Sequence, residues 1–167
     1  MARRKAQSVA VRRARRPRRR PTPRPRPPAA PLRYIESSAL LAALLEQEAG
    51  ALAALRAKGQ RVTSALTFAE ASRAIVRART TGRLTFDQER AALRALRTFE
   101  RRTAVVAVSD DVLRRVARPF PVEPIRTLDA VHLATAELLG EPPPLMTVIT
   151  RDARVRDNAR ALGYTVA

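Results

Sequence analysis

Four acidic residues are the candidates for a functional site in this sequence, because each follows a predicted strand or begins a predicted helix. They are Glu36, Glu70, Asp129 and Asp152. In a parallel α/β sheet the strand ends and the following helix starts share one edge, so these carboxylates can converge there. Converging carboxylates repel one another, and Mg²⁺ or Mn²⁺ would relieve that repulsion. Such a metal can activate water and stabilise the oxygens of a phosphodiester displacement, so the pattern favours a metal-dependent hydrolase.

Two of the four acids also have ordinary structural explanations. Glu70 completes a Thr67-x-x-Glu70 capping box and can pair with Arg73 three residues later. Asp152 is a natural N-cap for the predicted helix at 153–162. Capping alone would explain both residues.

Glu36 and Asp129 fit a purely structural role less well. Asp129 falls on the flank of an apolar helical arc, where its carboxylate leans toward the core. Glu36 ends a buried strand, and since Ser37 or Ser38 can cap the next helix, we expect no capping role for Glu36. Unpaired charges in such places cost free energy unless a partner compensates them.

The Cys and His content of the chain limits the kinds of site that the sequence can form. The chain has no Cys and one His, which argues against a zinc site and excludes a thiolate nucleophile. His132 lies one turn after Asp129 on the apolar side of its helix. We interpret it as a packed, hydrogen-bonded core histidine rather than a general base, because metal-bound water needs no imidazole.

The elements that must position these acids alternate along the chain. Short apolar runs predict strands at 32–36, 61–64, 104–108, 145–150 and 164–166. Helical patterns separate them at 38–48, 50–58, 68–79, 86–102, 110–118, 128–139 and 153–162. Cap signals precede several of these helices, at Thr67, Thr85, Ser109, Thr127 and Asp152. Continuously apolar strands are typical of a sheet covered on both faces, so we predict a three-layer α/β/α fold with a central, mostly parallel sheet.

The charge of the chain is concentrated in its first 31 residues. The formal net charge is +18, and residues 1–31 hold 12 of the 33 Lys and Arg residues but no Asp or Glu. Repeated Arg-Pro steps without apolar period predict a disordered basic arm at 1–31, followed by one folded domain at 32–167. Such an arm attracts nucleic acid without reading its sequence, and a solvated extension without a role is the alternative.

Nothing in the sequence predicts export or membrane insertion. The arm lacks the apolar region of a secretory signal, and no run approaches the roughly 20 apolar residues of a membrane span. We therefore expect a cytoplasmic protein with no membrane partner.

Four segments carry a family resemblance: YIESSALL, TSALTFAEASRAI, RTLDAVHLATAELL and VITRDARVRDNARALGYTV. In order and spacing they resemble the PIN-domain nucleases, and among these the VapC-like ribonuclease toxins of type II toxin–antitoxin pairs. The resemblance covers about residues 32–167. It implies a PIN-like domain whose acids bind Mg²⁺ or Mn²⁺ and hydrolyse the RNA backbone.

Carried over residue by residue, the resemblance assigns the catalytic and metal-binding acids of the family to Glu36, Glu70, Asp129 and Asp152. Most members have Asp at the first position, so Glu36 is longer by one methylene and the carboxylate geometry must differ there. Ser38 and Thr150 would hydrogen-bond the ligands or cap the helices. The resemblance also implies three partners: an RNA substrate, a small antitoxin protein and a second copy in a homodimer.

Two other classes of function fit parts of the sequence. One is a nucleic-acid-binding protein whose PIN-like domain is inactive and whose basic arm does the binding. The change to Glu36 favours this alternative, while the presence of all four acids opposes it. The other is a phosphotransfer or phosphatase domain, which needs a phospho-accepting aspartate that Glu36 does not readily replace.

Overall fold

The computed structural model describes residues 30–167, so the predicted basic arm lies outside the described residues except for its last two positions. Five strands form one parallel sheet in the order β3-β2-β1-β4-β5. They are β1 (Leu32–Ile35), β2 (Gln60–Ser64), β3 (Ala104–Val106), β4 (Met146–Ile149) and β5 (Thr165–Val166). Because β1 lies between β2 and β4, the carboxyl ends of these three strands meet in the middle of one edge.

Seven α-helices connect the strands in the described part of the chain, and a short 3₁₀ turn precedes β4. The helices are α1 (Ser37–Leu45), α2 (Ala49–Arg56), α3 (Ala65–Thr80), α4 (Phe86–Glu100), α5 (Asp110–Val116), α6 (Thr127–Glu137) and α7 (Ala153–Ala161). Every predicted strand and helix is present, with ends that differ by a few residues.

Successive residues of the central strands pack into two different helix layers. Tyr34 and Val148 join the core formed with α5, α6 and α7, whereas Ile35 and Ile149 join the core formed with α1, α3 and α4. Each of these four side chains is at most 1% exposed. Burial on both faces explains why the strands are continuously apolar, and it confirms the predicted three-layer α/β/α fold.

The cap signals are right for three helices and wrong for two. The side chains that accept first-turn amide hydrogens as predicted are Thr85, Ser109 and Asp152. In contrast, β2 runs into α3 without a loop, so Ser64 is the N-cap and Thr67 lies inside the first turn. The Thr67 hydroxyl instead lies 2.7 Å from the hydroxyl of Thr63. Thr127 is the first residue of α6, and Arg126 occupies the cap position.

Among the described residues, no single helix is long and apolar enough to cross a membrane. In the part of the chain that the structure describes, one pair of helices, α1 and α2, reaches that length and composition together, and the two are bent by 116° relative to each other.

Candidate functional site

The carboxyl ends of β1 and β4 lie side by side, which brings together the residues that follow each strand. Ile35 and Ile149 are register partners, and the backbone N–H of Glu36 donates to the Ile149 carbonyl at 3.0 Å. The Thr150 hydroxyl consequently reaches the Glu36 carboxylate and donates to its Oε2 at 2.8 Å. Strand pairing thus joins two residues that are 114 positions apart in the sequence.

Four donors surround the carboxylate of Glu36, which is 4% exposed. Its Oε1 accepts from the hydroxyl of Ser37 at 2.6 Å and from the backbone N–H of Ser38 at 3.0 Å. Its Oε2 accepts from the hydroxyls of Ser38 and Thr150. The bond from the Ser38 amide makes Glu36 the N-cap of α1. The expectation that Glu36 has no capping role was therefore wrong, because the side chain folds back over an unpaired first-turn amide.

The Ser38 hydroxyl links the connection after β1 to the connection after β4. It accepts from the backbone N–H groups of Arg151 at 2.7 Å and Asp152 at 3.1 Å. The Thr150 hydroxyl accepts from the N–H of Asp152 at 3.0 Å. Since an amide N–H can only donate, the hydroxyl protons of Ser38 and Thr150 are available to Glu36, and the two hydroxyl oxygens lie 3.3 Å apart.

Glu70 extends from the second turn of α3 toward α6. Its Oε2 lies 2.7 Å from Nε2 of His132, whose Nδ1 lies 3.1 Å from the Tyr34 hydroxyl. The capping box predicted for Glu70 was wrong, because α3 starts earlier than its sequence signal indicates. Burial raises the pKa of Glu70, but the hydrogen bond and charge of His132 outweigh burial, so the net pKa lies below the usual value.

His132 is the buried, hydrogen-bonded histidine that the sequence predicts, and it also touches two of the acids. It is 1% exposed, and its Nε2 lies 3.8 Å from Oε1 of Glu36 as well as close to Glu70. Glu36, Glu70 and His132 can each place one ligand atom within 4.8 Å of the others. The sequence prediction of the site did not include His132, although its spacing of one turn from Asp129 was a signal for it.

Asp129 has a carboxylate oxygen without a partner. Its Oδ2 is inaccessible to solvent and makes no hydrogen bond among the described residues. Burial raises the pKa of Asp129, and the negative charges of Asp152 and Glu36 raise it further, against the opposing effects of Arg126 and Arg154. A buried, unpaired oxygen near other carboxylates is a place where a cation is stabilised.

Asp152 caps α7 as the sequence predicts. Its Oδ1 accepts from the backbone N–H groups of Arg154 at 2.7 Å and Val155 at 3.1 Å. Within the described chain these bonds use only Oδ1, which leaves Oδ2 for another ligand. Capping and metal binding by Asp152 are therefore compatible.

Two of the four predicted acids lie directly together. Glu36 and Glu70 form with His132 a group whose ligand atoms lie within 4.8 Å of one another, and this group among the described residues does not include Asp129 or Asp152. Asp129 interacts electrostatically with both Asp152 and Glu36. Carboxylate oxygens are the ligands that Mg²⁺ and Mn²⁺ prefer, so the donor set fits such an ion. Free oxygens are most evident at Asp129 and Asp152, whereas the carboxylate of Glu36 is occupied by protein donors.

A groove of about 370 Å³ begins at Glu70 and runs between α1 and α3. Its lining combines apolar side chains with the exposed Arg73 and Arg77, which follow Glu70 by about one and two turns of α3. The groove therefore offers a cationic path from the acids along one helix face.

Comparison with known proteins adds to this picture. The PIN domain family model matches residues 33–161. Ribonuclease VapC35 of Mycobacterium tuberculosis (strain ATCC 25618 / H37Rv) is 36% identical over 137 residues, which cover 80% of this chain and 93% of that protein. Ribonuclease VapC46 of the same strain is 38% identical over 135 residues, with 80% and 94% covered.

A solved structure, VapBC2 from Rickettsia felis bound to a DNA fragment from their promoter, has the same fold. It matches with a TM-score of 0.55 over 81% of this chain and 97% of that chain. At 11% sequence identity this likeness concerns the fold alone.

Proposed function

The chain belongs to the PIN domain family, and on that premise we propose that it is a metal-dependent endoribonuclease that hydrolyses RNA phosphodiester bonds. The observation that carries the proposal is the buried Oδ2 of Asp129, which lacks a protein partner among the described residues, while the negative charges of Asp152 and Glu36 act on the same carboxyl. The ribonuclease names of two relatives at 36% and 38% identity support the choice of RNA.

The residues proposed to hold Mg²⁺ or Mn²⁺ are Asp129, Asp152 and Glu70, with the charge of Glu36 beside them. The bound ion would supply Lewis-acid stabilisation of the phosphodiester oxygens. The chain contributes the geometry: the helix cap fixes Asp152, and His132 fixes the Glu70 carboxylate at 2.7 Å. Keeping Glu70 ionised through the Nε2 bond preserves negative charge at the site.

We extend the proposal to a toxin whose partner is a small antitoxin protein. The VapC name of both relatives agrees with the VapC-like toxin group that the sequence motifs resemble. A homodimer and a cytoplasmic location belong to the same proposal. An antitoxin segment that covers the groove beside Glu70 would block access to the acids.

The direct test is cleavage of a structured RNA pool by the full chain with Mn²⁺ or Mg²⁺. We expect cleavage to stop on addition of EDTA and to return when Mn²⁺ is added in excess, because no protein group replaces the ion. Product ends are read by sequencing gel.

A matched preparation of the Asp129→Asn variant controls for contaminating ribonuclease. Cleavage that persists in EDTA, or that the variant retains in full, would contradict the proposal. Metal-independent RNA binding without cleavage would favour an inactive PIN-like binding protein instead.

Arg73 and Arg77 are expected to bind the RNA backbone along the groove. Replacing either with Ala should raise KM about tenfold, the size of a lost hydrogen bond to a charged group, and leave kcat nearly unchanged. The reason is that contacts remote from the cleaved bond act equally in the ground state and the transition state. Steady-state kinetics on one RNA substrate gives both constants.

Arg94→Ala is the matched control for this prediction, because Arg94 is an exposed arginine on α4. A similar rise in KM for Arg94→Ala would indicate a nonspecific charge effect rather than a defined RNA path.

A further inference from the structure

We propose that Glu36 is a positioning residue that fastens the connections after β1 and β4 together, rather than a ligand of the metal ion. This inference rests on the proposed function, since it concerns the same site. It differs from the role that the family resemblance implies for the first acid.

The carboxylate of Glu36 has no free hydrogen-bonding capacity. A carboxylate offers about four lone-pair positions. Two donors occupy Oε1 and two occupy Oε2, from Ser37, Ser38 and Thr150. Metal binding at this carboxylate would have to displace donors that are themselves buried or half-buried.

Besides Glu36, the two hydroxyls have one alternative acceptor for their protons, which is each other, since the Ser38 Oγ lies 3.3 Å from the Thr150 Oγ1. Ser38 already accepts two backbone N–H groups and Thr150 accepts one. Both lone pairs of the Ser38 oxygen are thus used, so Thr150 cannot donate to it and its proton is left for Glu36. The Ser38 proton can leave Glu36 only for the longer contact with Thr150. The backbone amides therefore favour Glu36 as the common acceptor of the network.

What the network holds is the backbone that carries Asp152. The N–H of Asp152 is bound by both hydroxyls, and the N–H of Arg151 is bound by Ser38. The guanidinium of Arg151 adds a third attachment, because its Nε lies 2.6 Å from Oε2 of Glu48. Glu36 thus controls the placement of a metal-binding acid without using its own oxygens for the ion.

Asp129 shows the opposite arrangement. Its Oδ2 is buried without a protein donor among the described residues, so it gains most from a cation. The two acids should therefore respond differently to the same change of carboxylate to amide.

The first measurement is urea unfolding of the full chain in EDTA. Glu36→Gln should lower the unfolding midpoint. Both carboxylate oxygens accept from protein donors, so the new amide NH2 group faces donors in either orientation. Ser38→Ala should also lower it, and the double variant should lose clearly less than the sum of the two losses. Glu46→Gln, an exposed glutamate just after α1, is the matched control and should leave the midpoint unchanged.

The second measurement is Mn²⁺ affinity, read from the signal of free Mn²⁺ in electron paramagnetic resonance. We expect Glu36→Gln to weaken Mn²⁺ binding less than tenfold and Asp129→Asn to weaken it at least a hundredfold. A loss of affinity in Glu36→Gln as large as that in Asp129→Asn would overturn the inference. So would a raised unfolding midpoint in Glu36→Gln, which is the result expected when a repelling metal-ligand charge is removed.

Failure of the proposed function is distinguishable from failure of this inference. If the wild-type chain binds no Mn²⁺ and cleaves no RNA, the metal-dependent function is wrong. The unfolding measurements in EDTA still decide whether Glu36 fastens the two connections, because they need neither metal nor substrate.

Discussion

Asp129→Asn is expected to reduce the rate of RNA cleavage by about a thousandfold and, at the same time, to stabilise the folded chain. The expected fall in rate follows from the proposal that Asp129 helps to hold the metal ion where negative charge develops in the transition state, and single groups of this kind are worth about 10² to 10³. Single-turnover cleavage with saturating Mn²⁺ measures the chemical step.

The stabilisation follows from the raised pKa of Asp129. A carboxyl whose pKa is higher in the folded state binds protons more tightly there, so its ionisation destabilises the fold. This loss of stability is absent below the pKa that Asp129 has in the unfolded chain. It develops as the pH rises through the higher pKa of the folded chain and is complete above that pKa. Removing the charge should therefore raise the thermal midpoint in EDTA at pH 7 and have less effect near pH 3.

Asp157→Asn provides the matched control, since Asp157 is an exposed aspartate on α7. We expect it to change neither the cleavage rate nor the thermal midpoint at pH 7. A variant at Asp129 that is inactive but less stable at pH 7 would indicate a structural acid rather than a metal ligand.

His132→Ala is expected to lower the free energy of unfolding by about 3 kcal/mol, the usual range for a large buried side chain with hydrogen-bond partners. The substitution leaves a cavity, removes the partner of the Tyr34 hydroxyl and leaves Glu70 without its donor. Urea unfolding monitored by circular dichroism gives the free energy.

The pH dependence of this variant has a defined sign. Because the pKa of Glu70 is lowered in the fold, its ionisation contributes stability that is present above the unfolded pKa and is lost as the pH falls through the folded pKa. In His132→Ala, the stability that is lost as the pH falls should be smaller than in the wild-type chain. Tyr34→Phe deletes only the hydroxyl and should cost about 1 kcal/mol. Equal losses in the two variants would mean that the contact between His132 and Glu70 contributes nothing.

The sequence predicts the sheet well because its strands are buried on both faces, and burial leaves a continuous apolar signal. An apolar run such as 146–149 begins and ends where its strand does, and the polar residue that follows it lies at the edge of the sheet. Three helix starts were also predicted correctly, because a cap residue is a local feature of the sequence. The placement of the proposed site at the carboxyl edge follows from these elements alone.

The sequence could not predict which donors each acid would meet. Glu36 caps its own helix because the Ser38 amide lies within reach, although Glu is not a preferred cap residue. Glu70 pairs with a histidine 62 positions away, a contact that depends on how α3 and α6 pack. Local patterns indicated a capping box there, and tertiary contacts decided otherwise.

The pairing of β1 with β4 also determines when the site can form during protein synthesis. Thr150 and Asp152 lie after β4. The Thr150 hydroxyl donates to Glu36, 114 positions earlier, and the Asp152 N–H donates to the Ser38 hydroxyl. A nascent chain that has been synthesised only as far as α6 holds Glu36, Glu70 and Asp129 but lacks Asp152 and the Thr150 hydroxyl that binds Glu36. The ribosome would therefore translate most of the domain before a working nuclease exists beside the message.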